Sequence, residues 1–129
     1  MSIYSSELYW KEVGDLWKEE ISVSAGSTET HDLSFPAPEA SLIYIAIAAE
    51  SGTTDCDLSI HESTDYDLTD QIFRATGISI NDNTPTGGRP STGSIPYGEE
   101  NGNSTIHIKT VENSGNDGTL LLKIRYLEV

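Results

Sequence analysis

The sequence predicts an all-β domain, a β-sandwich or jelly roll of about eight antiparallel strands with an N-terminal arm. Three observations carry that reading. Apolar residues fall in short runs that alternate with polar ones at the strand period of two, clusters of Gly, Pro, Asn, Asp and Ser separate the runs, and 129 residues suffice for one hydrophobic core. Residues 1–15 are read as an arm or hairpin and residues 16–129 as the sandwich.

The first strand runs from Leu16 to Val23, with Trp17, Ile21 and Val23 on one face and Lys18, Glu20 and Ser22 on the other. Ahead of it, residues 7–13 either pair back onto that strand around Gly14-Asp15 or form a short helix presenting Tyr9, Val13 and Trp17; the aromatic content favours the hairpin. Ala25-Gly26-Ser27 supplies a turn into Thr28 to Phe35, whose second half alone has an apolar face. Pro36-Ala37-Pro38 breaks the chain, and Leu42 to Ala49 follows, apolar on both faces. That pattern suits a central strand with one side on the core and the other beneath a loop or a neighbouring subunit.

Residues Asp55 to Glu62 alternate strictly, placing Cys56, Leu58 and Ile60 inward and Asp55, Asp57, Ser59 and His61 outward. Ser63 to Asp70 reads as an acidic loop, and Gln71 to Ile80 as an apolar stretch that is either helix or strand. The Pro- and Gly-rich segment from Asn81 to Asn103 should hold no regular element. Thr105 to Val111 and Thr119 to Leu127 are expected to close the chain as a hairpin through 113–118, where Asp-Gly suits a turn with positive φ.

Composition narrows the partners. Twenty-one acidic residues against seven basic ones give a net charge of −14, with no Lys/Arg cluster to neutralise phosphates, so nucleic acid and anionic membrane are not expected. A folded domain this acidic suits concentrated salt, which screens the mutual repulsion of a carboxylate-rich hydrated surface. No run approaches the roughly 20 apolar residues of a membrane-spanning helix. The N-terminus shows neither the basic region nor the apolar core of a signal peptide, which leads to an expectation of synthesis in the cytoplasm. Cys56, the single cysteine, reads as a buried core residue.

Motifs for chemistry are sparse. His31, His61 and His107 stand apart with no zinc-ligand spacing and read as structural or solvent-facing. Asp55, Asp57, Asp65, Asp67 and Asp70 form the densest group of oxygen ligands, but the loop departs from the calcium-binding pattern and reads as a solvated acidic face, so no metal or other cofactor is expected. No GxSxG elbow or phosphate-cradling loop is present. Asn103-Ser104-Thr105 matches the glycosylation acceptor triplet, without a secretion signal beside it. The aromatic-rich arm offers Tyr4, Leu8, Tyr9 and Trp10 as a partner-binding surface, whereas Trp17 belongs to the core.

The run Leu58-Ser59-Ile60-His61-Glu62-Ser63-Thr64-Asp65-Tyr66, its continuation through Gln71 to Ile78, the Pro-rich loop, and Ile106-His107-Ile108-Lys109 with Asn113 before a last apolar strand resemble modules of phage head-decoration and tail proteins. The similarity is to the small β-sandwich accessory proteins of tailed-virus particles, and it extends over roughly two thirds of the chain as a strand layout. It implies a non-enzymatic virion component, a capsid decoration or turret or a tail or baseplate subunit, bound to protein partners in the particle and self-associating. The acidic balance points to a virus of halophilic archaea. The alternative is a carbohydrate-binding or host-adhesion module using Tyr97, Trp10 and the 81–103 loop against a surface glycan.

Overall fold

The computed structural model describes residues 14–37, 40–82, 85–91 and 104–128. Eight strands are found among them: β1 (Asp15–Val23), β2 (Thr28–Phe35), β3 (Ala40–Ser51), β4 (Cys56–His61), β5 (Gln71–Ile78), β6 (Thr86–Gly88), β7 (Ser104–Glu112) and β8 (Gly118–Glu128). They make two four-stranded sheets, one ordered β1-β8-β3-β6 and the other β2-β7-β4-β5, every pairing antiparallel.

Alternation explains why the sheets face each other. Ile45, Ile47, Leu122 and Ile124 from the first sheet and Leu58, Ile60, Ile106 and Ile108 from the second are fully buried in one shared cluster. Each such side chain contributes about 1.5–3 kcal/mol on leaving water. At one end Phe35 sits between Trp17 and Tyr126, with ring centroids 5.0 and 4.8 Å away, which ties both sheets together through tilted and edge-on contacts. As expected for the central strand, β3 lies inside its sheet between β8 and β6 and turns Ile45 and Ile47 to the core.

One open alternative is settled and two expectations are revised. Residues 71–78 are a strand, because Ile72, Phe73, Ala75 and Ile78 are buried against β4 and Gly77 takes up a positive φ of 65° that lets the chain adjust. The Pro-rich segment does contain a regular element, the three-residue β6, made possible because Gly87 lies so close to β3 that no side chain would fit between them. The expected closing hairpin does not exist: β7 pairs with β2 and β4, β8 pairs with β1 and β3, and the 113–117 connection crosses from one sheet to the other.

Glu112 explains that crossing. It continues the inward parity of Ile106, Ile108 and Thr110 to the end of β7 and is 2 % exposed. Its carboxylate accepts from the amides of Gly26, Gly115 and Asn116 at 3.1, 2.6 and 3.1 Å, from Ser114 Oγ at 2.7 Å, and from Thr53 Oγ1. One buried acid therefore gathers three connections. Burial pushes its pKa up, but those donors outweigh burial and hold it well below the ordinary carboxylate value.

The 1–13 arm, including Tyr4, Leu8, Tyr9 and Trp10, lies outside the described residues, as do Tyr97 and Asn103.

Candidate functional site

The chemistry-bearing side chains collect on the outward face of the second sheet. Ser59 and His61 share one face of β4 because strand side chains repeat every second residue. The antiparallel register sets Ser59 beside Lys109 on β7 and Arg74 on β5, and sets His61 beside His107, which is itself opposite Asp32 on β2.

The loop after β4 then folds back over this face. Asp70, 6 % exposed, accepts from His61 Nδ1 at 2.7 Å, Ser63 Oγ at 2.8 Å and the amides of Tyr66 and Asp67 at 3.1 and 3.0 Å. Burial raises its pKa, yet the Ser63 and His61 hydrogen bonds and the two amides prevail and keep it ionised far below the usual range. Tyr66 adopts a positive φ of 52° and donates its hydroxyl to Asp32. His107 Nδ1 meets the same Asp32 oxygen at 2.8 Å. The Asp32 carboxyl is lowered first by the His107 hydrogen bond and then by Tyr66, and the Tyr66 phenol is pushed up to about 12 by burial and by Asp32. The Tyr66 ring stands edge-on to both His61 and His107, at 5.5 and 6.2 Å. The loop is thus pinned from below and from above.

These contacts assign the His61 tautomer. An ionised Asp70 can only accept, so Nδ1 carries the hydrogen and donates; in the neutral ring Nε2 then accepts from Ser59 Oγ, 2.7 Å away. The resulting order Ser59–His61–Asp70 is that of a nucleophile, base and orienting acid. Among the described residues β4 supplies no oxyanion hole beside Ser59, because it is an interior strand paired on both sides with β5 and β7. The chain of hydrogen bonds fixes the direction of the Ser59 hydroxyl, whose lone pairs face outward.

Ser59 opens onto a concavity of about 190 Å³ that also meets Tyr66, Gln71, Arg74 and Lys109. Asp57 and Asp67 lie on its rim, Asp57 with both oxygens engaged elsewhere and Asp67 with its Oδ1 engaged. Asp57 accepts from the Gly77 amide at 3.1 Å and Asn113 Nδ2 at 3.4 Å, and Asp67 accepts from the amide and hydroxyl of Thr69 at 2.9 and 2.6 Å. Arg74 and Lys109 are in ion-pair contact with no carboxylate among the described residues.

The aspartates singled out in the sequence do not converge. Asp70 is folded under the loop, Asp67 and Asp57 turn to separate partners, and Asp55 offers its backbone carbonyl to the Asn113 amide. No group of three or more His, Cys, Asp or Glu positioned to hold a metal occurs among the described residues. His61, expected on the outward face, is on it but buried beneath Tyr66. His31 faces the opposite way and contacts Thr110 Oγ1 at 3.0 Å; burial lowers its pKa against the pull of Glu29 and Asp32. Cys56 is buried as expected, and burial, aided by Glu112, pushes its thiol up to about 12, so it is an inert core residue.

The chain matches no protein-family model, and no curated protein is significantly similar to it in sequence.

Proposed function

We propose that the protein is a non-enzymatic virion structural subunit, a capsid decoration, turret, tail or baseplate component of a halophilic virus, whose finer architecture is a jelly roll. The strand orders β1-β8-β3-β6 and β2-β7-β4-β5 support the architecture, being those of two interleaved Greek keys. Jelly rolls serve in viral capsids and in lectins, a fold-level analogy.

The observation that carries the assembly reading is the outward face of β1, β8 and β3. Leu16, Tyr44 and Leu127 are 41, 39 and 40 % exposed there, in a field that also holds Lys18, Lys123 and Arg125, three of the chain's seven basic residues. Lys18 stands directly opposite Lys123, and like charges so placed cost stability unless something anionic covers them. The rest of the surface carries the acid excess of a chain at −14, so the occupant that fits is an acidic patch on a second copy of this chain. Contact between two different patches is head-to-tail, and repeating it closes a ring or extends a filament, as shell and tail components require.

Light-scattering mass in molar salt tests this. A discrete oligomer that Leu16→Glu converts to a folded monomer is expected; a wild-type protein that stays monomeric at every concentration refutes it. Deleting residues 1–11 should likewise abolish incorporation into particles while the sandwich still folds.

A further inference from the structure

We propose that the concavity over Ser59 binds a hydroxylated carboxylate, the acidic sugar residue of a glycan. This stands apart from the assembly reading, which uses the opposite sheet. It also moves the glycan site away from the Tyr97 and Trp10 surface that the sequence suggested.

Arg74 and Lys109 flank Ser59 on its two neighbouring strands and line the concavity, while the nearby carboxylates are held by other donors. In a chain with three acids for every base, two cations lining one concavity without an ion-pair partner among the described residues are unexpected unless an anion completes them. The pair places one cation on either side of Ser59, which suits the two oxygens of a carboxylate.

Ser59 adds the second requirement. With the His61 ring neutral its proton goes to Nε2, so toward the ligand it accepts rather than donates. A simple carboxylate has no hydrogen to give it; a ring hydroxyl next to the carboxylate does. Gln71 offers both a donor and an acceptor to further hydroxyls, and Leu68 and Val111 supply apolar surface for a ring face. A volume of about 190 Å³ is small beside the several hundred Å³ of a drug-sized site, and matches one small ring rather than an extended chain. The wall is in place before binding, since Asp70 and the Tyr66–Asp32 contact already fix the loop.

The test is a titration of the full-length protein with glucuronate, followed by amide chemical shifts at constant potassium chloride, with glucose and acetate as separate arms. Saturable shifts centred on Ser59, His61, Arg74 and Lys109 are expected with glucuronate, and much weaker ones with glucose and acetate. Arg74→Gln and Lys109→Gln, both outward-facing changes that leave the core untouched, should each weaken glucuronate by about tenfold with an otherwise unchanged spectrum. Absence of saturable shifts with glucuronate overturns the proposal. So does acetate binding as tightly as glucuronate, which would leave an anion site without the sugar, or undiminished binding by the Arg74→Gln, Lys109→Gln double variant.

Discussion

Replacing Glu112 with Gln keeps the shape of the side chain and removes its charge, which isolates what the buried carboxylate does. Three amides point at Oε1 and two hydroxyls at Oε2. In Glu112→Gln the amide oxygen can stay with the three N–H groups, and the Thr53 and Ser114 hydroxyls can rotate to accept from the new NH₂. Few partners are lost, but every bond changes from charge-assisted to neutral. Hydrogen bonds to charged groups contribute about 1.5–3 kcal/mol against 0.5–1.5 for neutral ones, so with incomplete additivity the loss should be about 3 kcal/mol at neutral pH. For a domain of this size that is a fall in Tm of about 10 °C. The pH dependence gives the sharper signature. The folded pKa of Glu112 lies below the unfolded value of about 4.3, so its stabilisation is fully present above that value and disappears as pH falls through the folded one. Urea denaturation of wild type and variant across pH should show a gap that is widest at neutrality and narrows in acid. A variant as stable as wild type at neutral pH, or a gap unaffected by acidification, would refute the reasoning.

Three further outcomes are expected. Gly52→Ala should cost about 3 kcal/mol or more, because the residue sits at φ +77° and an added Cβ would lie 1.8 Å from the Asp117 carbonyl oxygen; thermal unfolding reads the loss. Tyr66→Phe removes the hydroxyl that holds Asp32 and should cost about 1 kcal/mol, with hydrogen exchange accelerated in 62–70 and unchanged in β8. A fluorophosphonate probe should leave Ser59 unmodified, since attack on phosphorus would need oxyanion donors that β4 does not supply; labelling lost in His61→Ala would show that Ser59 is an activated nucleophile after all.

The parts of the fold that could be read from the sequence are those whose cause is local. Strict alternation in residues 56–61 and the two-faced run at 42–49 located β4 and β3 because burial there follows the pleat. The Asp-Gly signal near 117 misled because a turn motif specifies a reversal of direction and says nothing about which sheet receives the next strand. That choice rests on Glu112, and its parity with Ile106 and Ile108, followed by Asn-Ser-Gly-Asn, was the available sign of a buried acid capping a loop. The site was half legible. Ser59 and His61 are visibly two apart on one face, but Asp70 joins them only through the folding back of the acidic loop, and Arg74 and Lys109 only through pairing of β4 with two other strands.

The position of β8 has a consequence for how the chain is made. This strand is the last of the eight in sequence, yet it lies between β1 and β3, and Asp15 pairs with Tyr126 across almost the whole described length. A nascent chain carrying β1 through β7 holds three strands of the first sheet, β1 on one side of an unfilled gap and β3 with β6 on the other, and the buried faces of Ile21, Ile45 and Ile47 have no Leu122 or Ile124 to meet. Cooperative folding therefore waits until about residue 128 has left the ribosome, and pairings this distant close slowly. In the interval the half-built sheet presents open apolar edges, and the heavy negative charge that accompanies them on every copy is what keeps neighbouring nascent chains apart.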